Sequence, residues 1–159
     1  LGSLITMGWP VLYSQERVGK DMHPFRVYKF RTMVRDAEAH SGPVLAEEDD
    51  PRITRIGRIL RKTSLDELPQ LWNVLKGEMS IGGPRPTSFG VDKYRLLHTE
   101  RLSVKPGITV LWQIYERGES YFDNRLIWDM KYIDKFSLVL DLKIILRTAL
   151  KVFRDRGAR

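Results

Sequence analysis

The sequence predicts an α/β fold of the α+β type: a small, largely antiparallel sheet with several amphipathic helices along one side. Three observations predict it. Two β-prone segments flank a turn near the start, apolar residues recur at helical spacing in the middle, and two long helical stretches close the chain. At 159 residues the chain can bury one real core but not comfortably two, so residues 1–159 read as a single domain.

The first segment, "VLYSQERVGKDMHPFRVYKFRTM" (11–33), supplies Val11, Tyr13, Phe25, Val27, Tyr28 and Phe30 for two strands, with "GKDMHP" as the turn between them. Residues 34–51 are polar and end in the acidic "AEEDDP", which predicts an exposed loop. From Arg52 to Leu60 the apolar residues Ile53, Ile56, Ile59 and Leu60 fall at helical spacing. Arg52, Arg55, Arg58 and Arg61 form a stripe beside them, and Gly57 lowers helical propensity by about 1 kcal/mol relative to alanine. Leu68, Leu71, Trp72 and Leu75 follow i, i+3, i+4, i+7, so a helix should run to Lys76 and stop at Gly77. "SIGGPRPTS" (80–88) predicts a loop, Val91–Leu97 a short helix, and "VKPGITVLWQI" (104–114) a turn leading into a strand. Helices are expected over 122–135 and 137–154.

Lysine and arginine outnumber aspartate and glutamate to give a net charge of +7, which favours anionic partners: nucleic acid, a phospholipid surface or a phosphorylated small molecule. With no cysteine, disulfides, thiolate metal sites and cysteine nucleophiles are excluded. His23, His40 and His98 are isolated and read as ordinary surface or core residues. The opening "LGSLITMGWPVLYS" is apolar but falls short of the ~20 residues a spanning helix requires, and it lacks the basic start of a signal peptide.

Within "TSLDELPQLWNVLKGEMS" (63–80), Asp66 and Glu67 stand side by side in a basic neighbourhood. Two readings compete. In one, Ser64 and Glu67 form an S-x-x-E capping box and the acids merely favour a helix start, with Pro69 suited to the first turn. In the other, the pair acts on a phosphorylated substrate. Adjacent side chains on a helix diverge, leaving one carboxylate to hold a metal ion and the other to attack. An aspartate with an unperturbed pKa of about 3.9 is ionised at neutral pH and needs no general base. Its difficulty is the approach to an anionic diphosphate, which arginines and Mg²⁺ relieve; Arg61 and Arg85 of "GGPRP" are candidate donors.

"QERVGK" (15–20), "KFRTM" (29–33), "DPRITRIGRILRKTSLDELPQLWNVLKGEMSIGGPRP" (50–86), "PGITVLWQ" (106–113) and "DLKIILRT" (141–148) occur in one order. Together they closely resemble the bacterial sugar transferases, the monotopic polyprenyl-phosphate phosphoglycosyl transferases, over nearly the whole chain. The resemblance implies transfer of a sugar 1-phosphate from a UDP-sugar donor to a polyprenyl phosphate acceptor, the first membrane step in building a surface glycan. It implies that Asp66 is the nucleophile, that a phosphosugar–aspartyl intermediate forms as UMP leaves, and that Glu67 is linked to Mg²⁺. Arg61 and Arg85 match family arginines expected to hold phosphate. Lys29, Gln113 and Arg117 match further motif positions that the resemblance implies bind substrate or phosphate, and Asp129 and Asp141 match others with less defined roles.

The resemblance also implies an N-terminal membrane-inserted helix ahead of "QERVGK", of which only a remnant could precede Val11, and hence a truncation. It places the enzyme on the cytoplasmic face of the bacterial inner membrane and leaves room for a homo-oligomer. Two departures stand out. Val110 occupies a position usually held by glycine, which bears on backbone approach there, and "IYERGE" (114–119) replaces a commoner pattern in which Arg117 still matches the arginine.

In "SLVLDLKIILRTALKVFRDR" (137–156), Lys143, Arg147, Lys151 and Arg154 fall on one helix face, a pattern that suits the headgroup layer but not a bilayer crossing. A core-packed terminal helix with a solvated basic side reads equally well from periodicity alone; the lipid acceptor favours the membrane surface. Three rivals compete, one of them an aspartyl-phosphate hydrolase, disfavoured because no water-activating base accompanies Asp66. A basic nucleic-acid-binding module is disfavoured because no stacking or zinc motif is present, so no nucleic-acid partner is expected. A non-catalytic scaffold of the same fold is the third.

Overall fold

The computed structural model describes residues 10–37, 50–86, 99–115 and 122–154. They belong to two compact units, one made of residues up to Ser14 with Tyr28–Pro69, the other of Gln15–Val27 with residues from Gln70 onward. Helices and a small antiparallel sheet are both present, as expected.

That sheet is the hairpin of β1 (Leu12–Val18) and β2 (Pro24–Phe30). It closes at one end with the Arg31 amide donating to the Val11 carbonyl (2.8 Å) and at the other with the Gly19 amide donating to the His23 carbonyl (2.9 Å). The turn itself bends through left-handed backbone at Asp21 (φ 52°) and Met22 (φ 63°).

In the first unit, residues 38–49 of the expected acidic loop lie outside the described residues; Val34–Asp36 before them are exposed. Asp50 departs from the expectation. It is buried, and Arg52 grips it with Nε on Oδ1 (2.9 Å) and Nη2 on Oδ2 (2.6 Å). Those hydrogen bonds from Arg52 hold the Asp50 carboxyl down at about 2. Arg52 therefore lies off the predicted stripe, in a turn closed by the Ile53 amide on the Asp50 carbonyl (3.0 Å), just before Ile53 forms an antiparallel bridge with Met33. Helix α1 (Arg55–Lys62) starts three residues later than its apolar pattern, because the Thr54 hydroxyl accepts the Gly57 amide (2.9 Å) as N-cap. Gly57 is required there: a Cβ would lie 1.9 Å from the Thr32 carbonyl oxygen.

After α1 the chain does not run straight into the expected helix. Ser64 adopts left-handed backbone (φ 56°), residues Leu65–Glu67 form a separate 3₁₀ turn, and only then does α2 (Gln70–Leu75) begin. In the second unit, α2 buries Gln70 and Asn73 rather than its leucines. Asn73 is wholly buried and donates to the Arg26 carbonyl and to Glu78 Oε2, both at 2.7 Å. Leu71, Trp72 and Leu75 are exposed, Leu75 at 79 %. The i, i+3, i+4 apolar spacing thus marks a real helical face, but one turned outward. Gly77 (φ 78°) ends the helix as predicted.

The stretch predicted as a loop from Ser80 contains a strand. β3 (Ser80–Gly82) pairs in parallel with β4 (Gly107–Thr109), in register Ser80 to Gly107 and Gly82 to Thr109. Glycines hide the pattern and make it sterically feasible, since a Cβ at Gly107 would sit 2.2 Å from the Gly83 nitrogen. The strand predicted toward Ile114 ends at Thr109 and gives way to α3 (Leu111–Tyr115). Val110 is 1 % exposed, its side chain taken up in the interior. Helices α4 (Phe122–Asp134) and α5 (Leu138–Arg154) match their expected spans closely. Among the described residues of this unit two apolar clusters form: Phe25, Val27 and Met79 with Val74 and Ile108, and Leu111, Tyr132 and Ile144 with Trp128, Ile133 and Leu140. The expected helix at 91–97 lies outside the described residues.

Candidate active site

The acid pair occupies the 3₁₀ turn of the first unit, with both residues partly buried. At three residues per turn, neighbouring side chains leave such a turn roughly 120° apart, which produces the expected divergence of Asp66 from Glu67. The capping box does not form: Ser64 makes no side-chain cap bond. Glu67 instead points its carboxylate at a cation, with Lys29 Nζ 2.9 Å from Oε1 across 38 residues of sequence. The exposure of these two side chains, 29 % and 14 %, removes enough water for the contact to exceed a surface ion pair.

Arg61 sits in the last turn of α1, and its backbone carbonyl accepts the Ser64 amide (3.1 Å), so it is tied directly to the turn that presents the acids. Its Nε donates to Thr32 Oγ1 (2.8 Å). Thr32 is buried, and its carbonyl also accepts from the Thr54 amide (3.0 Å) and hydroxyl (3.2 Å). Thr32 thus fixes both the start of α1 and the guanidinium at its end. Sequence reasoning missed this role although Thr32 stands inside "KFRTM"; a threonine beside an arginine-bearing segment carries no periodic signal. The structure therefore brings Lys29, Arg61, Asp66 and Glu67 together in one unit.

The remaining expected residues belong to the second unit. Arg85 is partly buried in a small cleft shared with Val18, Pro84, Pro86 and Leu102. Gln113 lies in α3, and Arg117 lies outside the described residues. Asp129 and Asp141 are committed to internal contacts. Arg101 Nη2 is 2.8 Å from Asp129 Oδ2 and donates to the Arg85 carbonyl (2.7 Å). Tyr132 Oη lies 2.7 Å from Asp141 Oδ1 and 3.0 Å from the Gly82 carbonyl.

Asp129 is 2 % exposed, and among the described residues its Oδ2 accepts no directed hydrogen bond, with Arg101 Nη2 2.8 Å away as a charge contact. Burial pushes its carboxyl up to about 6, with Arg101 opposing the rise. The folded protein therefore holds a proton that the unfolded chain has released between about pH 4 and 6. Asp129's contribution to stability is full below that window and falls as pH rises through it. Asp129→Asn should abolish that part of the slope in urea midpoints measured from pH 4 to 7; an unaltered slope would refute the assignment.

Among the described residues no group of three or more carboxylate or imidazole side chains could enclose a metal ion. Mg²⁺ does not need one in phosphoryl-transfer sites, where one or two carboxylates suffice with substrate phosphates and water. The Asp66–Glu67 pair fits that donor chemistry.

The 3₁₀ turn thus carries an acid pair with a lysine on one carboxylate, and it is tied to Arg61 through the Ser64 amide. The model of the bacterial sugar transferase family matches residues 2–155, and the chain belongs to that family. It is 46 % identical to "Galactosyl transferase CpsE" of Streptococcus agalactiae, over 96 % of this chain and 36 % of that protein. It is 44 % identical to "UDP-glucose:undecaprenyl-phosphate glucose-1-phosphate transferase" of Klebsiella pneumoniae, over 94 % of this chain and 34 % of the relative. With "Undecaprenyl-phosphate galactose phosphotransferase" of Salmonella typhimurium it shares 41 % identity, over 95 % and 35 % respectively. The chain thus spans about a third of the length of these three relatives.

Proposed function

We propose that this chain is the catalytic part of a phosphoglycosyl transferase that moves a sugar 1-phosphate from a UDP-sugar to undecaprenyl phosphate, initiating a surface glycan. The observation that carries the reading is the placement of Glu67: its carboxylate meets Lys29 rather than capping a helix, so the dyad is built for charge chemistry. Asp66 Oδ attacks the sugar-linked phosphorus, the bond to the UMP oxygen breaks, and UMP leaves with the electron pair. The phosphosugar is then held as an acyl phosphate on Asp66 until the undecaprenyl phosphate oxygen displaces the carboxylate. An acyl phosphate keeps a high transfer potential, so the second step has no steep barrier in free energy to climb.

Arg61, fixed by Thr32, offsets the charge of the diphosphate, and Lys29 keeps Glu67 oriented; Arg85 is assigned to phosphate binding on the family resemblance. Glu67 would hold Mg²⁺, which when bound offsets the charge of the donor's phosphates. Gln113 and Arg117 keep their expected role in binding the donor, whereas Asp129 and Asp141 face internal partners, Arg101 and Tyr132.

The lipid acceptor requires a membrane surface, and α5 has the side chains for one. Leu138, Leu142, Leu146 and Leu150 are exposed at four-residue spacing, beside Lys143 and Arg147 on the neighbouring face. No helix among the described residues is long and apolar enough to cross a membrane. A nucleotide-sugar donor places the work on the cytoplasmic face of the inner membrane.

The test is incubation with UDP-galactose, UDP-glucose and their N-acetylated relatives with Mg²⁺, followed by intact mass and UMP release. The expected result is a phosphosugar adduct for at least one donor, discharged by undecaprenyl phosphate. Glu67→Gln should cut turnover and flatten its Mg²⁺ dependence. An unchanged metal response would remove Glu67 from the metal site.

A further inference from the structure

Residues 82–85, "GGPR", are gripped by two side chains, Tyr132 of α4 and Arg101 of the 3₁₀ turn Glu100–Ser103. Tyr132 reaches the Gly82 carbonyl at 3.0 Å, and Arg101 reaches the Arg85 carbonyl at 2.7 Å. The groups behind these two contacts share one helix face. Asp129, 2.8 Å from Arg101, and Tyr132 are three residues apart on α4, and each is 2 % exposed. Asp141 of α5 completes the arrangement at 2.7 Å from Tyr132.

Between the two grips the backbone is fastened to β4 and its approach: the Gly83 amide donates to the Thr109 carbonyl (3.1 Å), and the Pro84 carbonyl accepts the Gly107 amide (2.9 Å). The loop also has no room to shift. A Cβ at Gly82 would lie 2.3 Å from Asp141 Oδ1, and one at Gly83, where φ is +152°, would lie 2.7 Å from the Lys105 carbonyl. Pro84 and Pro86 fix φ on both sides of Arg85 and donate no amide, so the carbonyls are the principal handles on this segment.

We propose that Tyr132–Asp141 and Arg101–Asp129 are a paired clamp on this loop, and that the four are positioning residues for Arg85. The inference rests on the reading of Arg85 as a phosphate-binding residue. A long, flexible side chain that must meet a phosphate in the transition state loses binding whenever its backbone wanders, so supporting residues set its effectiveness. Tyr132 suits the task chemically. Burial, and then the adjacent Asp141 carboxyl, raise its phenol well above the usual tyrosine value, so the hydroxyl keeps its proton. Arg101 suits it because one guanidinium can reach a carboxylate and a carbonyl together.

The test uses the full chain with Tyr132→Phe and Arg101→Lys, each alone and combined with Arg85→Ala. Two readouts are needed. Amide exchange over residues 80–85 should accelerate roughly tenfold in each clamp variant, the scale of one lost hydrogen bond, while exchange in α1 stays at the parent rate. With whichever of UDP-galactose or UDP-glucose turns over, kcat/KM should fall about tenfold in each clamp variant and by less than twofold when Arg85 is already alanine.

Unchanged exchange over 80–85 in both variants overturns the clamp. So does a full tenfold fall in the Arg85→Ala background, which would mean the residues act elsewhere. A kinetically silent Arg85→Ala refutes the phosphate role of Arg85 and the positioning role with it; faster exchange over 80–85 would then establish a purely structural clamp.

Discussion

Asp66→Asn should abolish the phosphosugar adduct and lower turnover by about 10⁴-fold or more, the scale seen when a nucleophile is deleted from a covalent mechanism. The substitution is nearly isosteric, and Asp66 is only partly buried, so the fold should survive and the urea midpoint should stay within experimental error of the parent. That separation makes the result interpretable. An amide oxygen carries no charge and cannot form the acyl phosphate, whereas a carboxylate acting only as a structural acceptor would be largely replaced by asparagine. Glu67→Gln probes a different function and should leave a slow adduct-forming activity, since it removes charge beside the nucleophile but not the nucleophile itself. Intact mass after mixing with UDP-sugar reads both outcomes directly. Adduct formation at parental yield in Asp66→Asn would remove Asp66 from the chemistry.

The two carboxylates were legible in the sequence because they are adjacent and lie between arginines, and the surrounding motif resembles a known family. Their local structure was not. Ser64-x-x-Glu67 satisfies a capping-box pattern, but a capping serine needs extended backbone, and Ser64 is left-handed. No residue pattern encodes that choice; the lysine that draws Glu67 away lies 38 residues earlier in the sequence. Burial direction was equally hidden. The leucines and tryptophan of 68–75 show helical periodicity, yet Asn73, which reads as a polar interruption, is the fully buried residue, with Arg26 and Glu78 as its partners. Periodicity identifies a face and not what covers it. β3 was missed because three residues, Ser80–Gly82, are too few to show an alternating pattern, and parallel pairing to a strand 27 residues later leaves no local trace. The closing helices succeeded for the opposite reason: they are long and their spacing is dominated by local geometry.

Gly57→Ala separates local propensity from tertiary fit most sharply, because the two predict opposite signs. Within a helix, alanine should stabilise by about 1 kcal/mol relative to glycine. In this structure the new methyl would lie 1.9 Å from the Thr32 carbonyl oxygen, with the carbonyl carbon at 2.7 Å and the Thr32 Cα at 2.8 Å. All three are backbone atoms, so no side-chain rotation relieves the contact. The Thr32 carbonyl cannot retreat freely either, since it accepts the Thr54 amide and hydroxyl that begin α1. Overpacking of this kind costs about 1–3 kcal/mol, and more where the backbone is doubly tied. The net expectation is destabilisation by about 2 kcal/mol or more, seen as a lower urea midpoint at unchanged slope. Function should suffer in parallel, because displacing Thr32 also moves the oxygen that holds Arg61 Nε. Arg61→Lys should therefore lose less in the Gly57→Ala background than in the parent. A stabilised Gly57→Ala protein would mean that α1 and the Thr32 segment do not meet as closely as the structure places them.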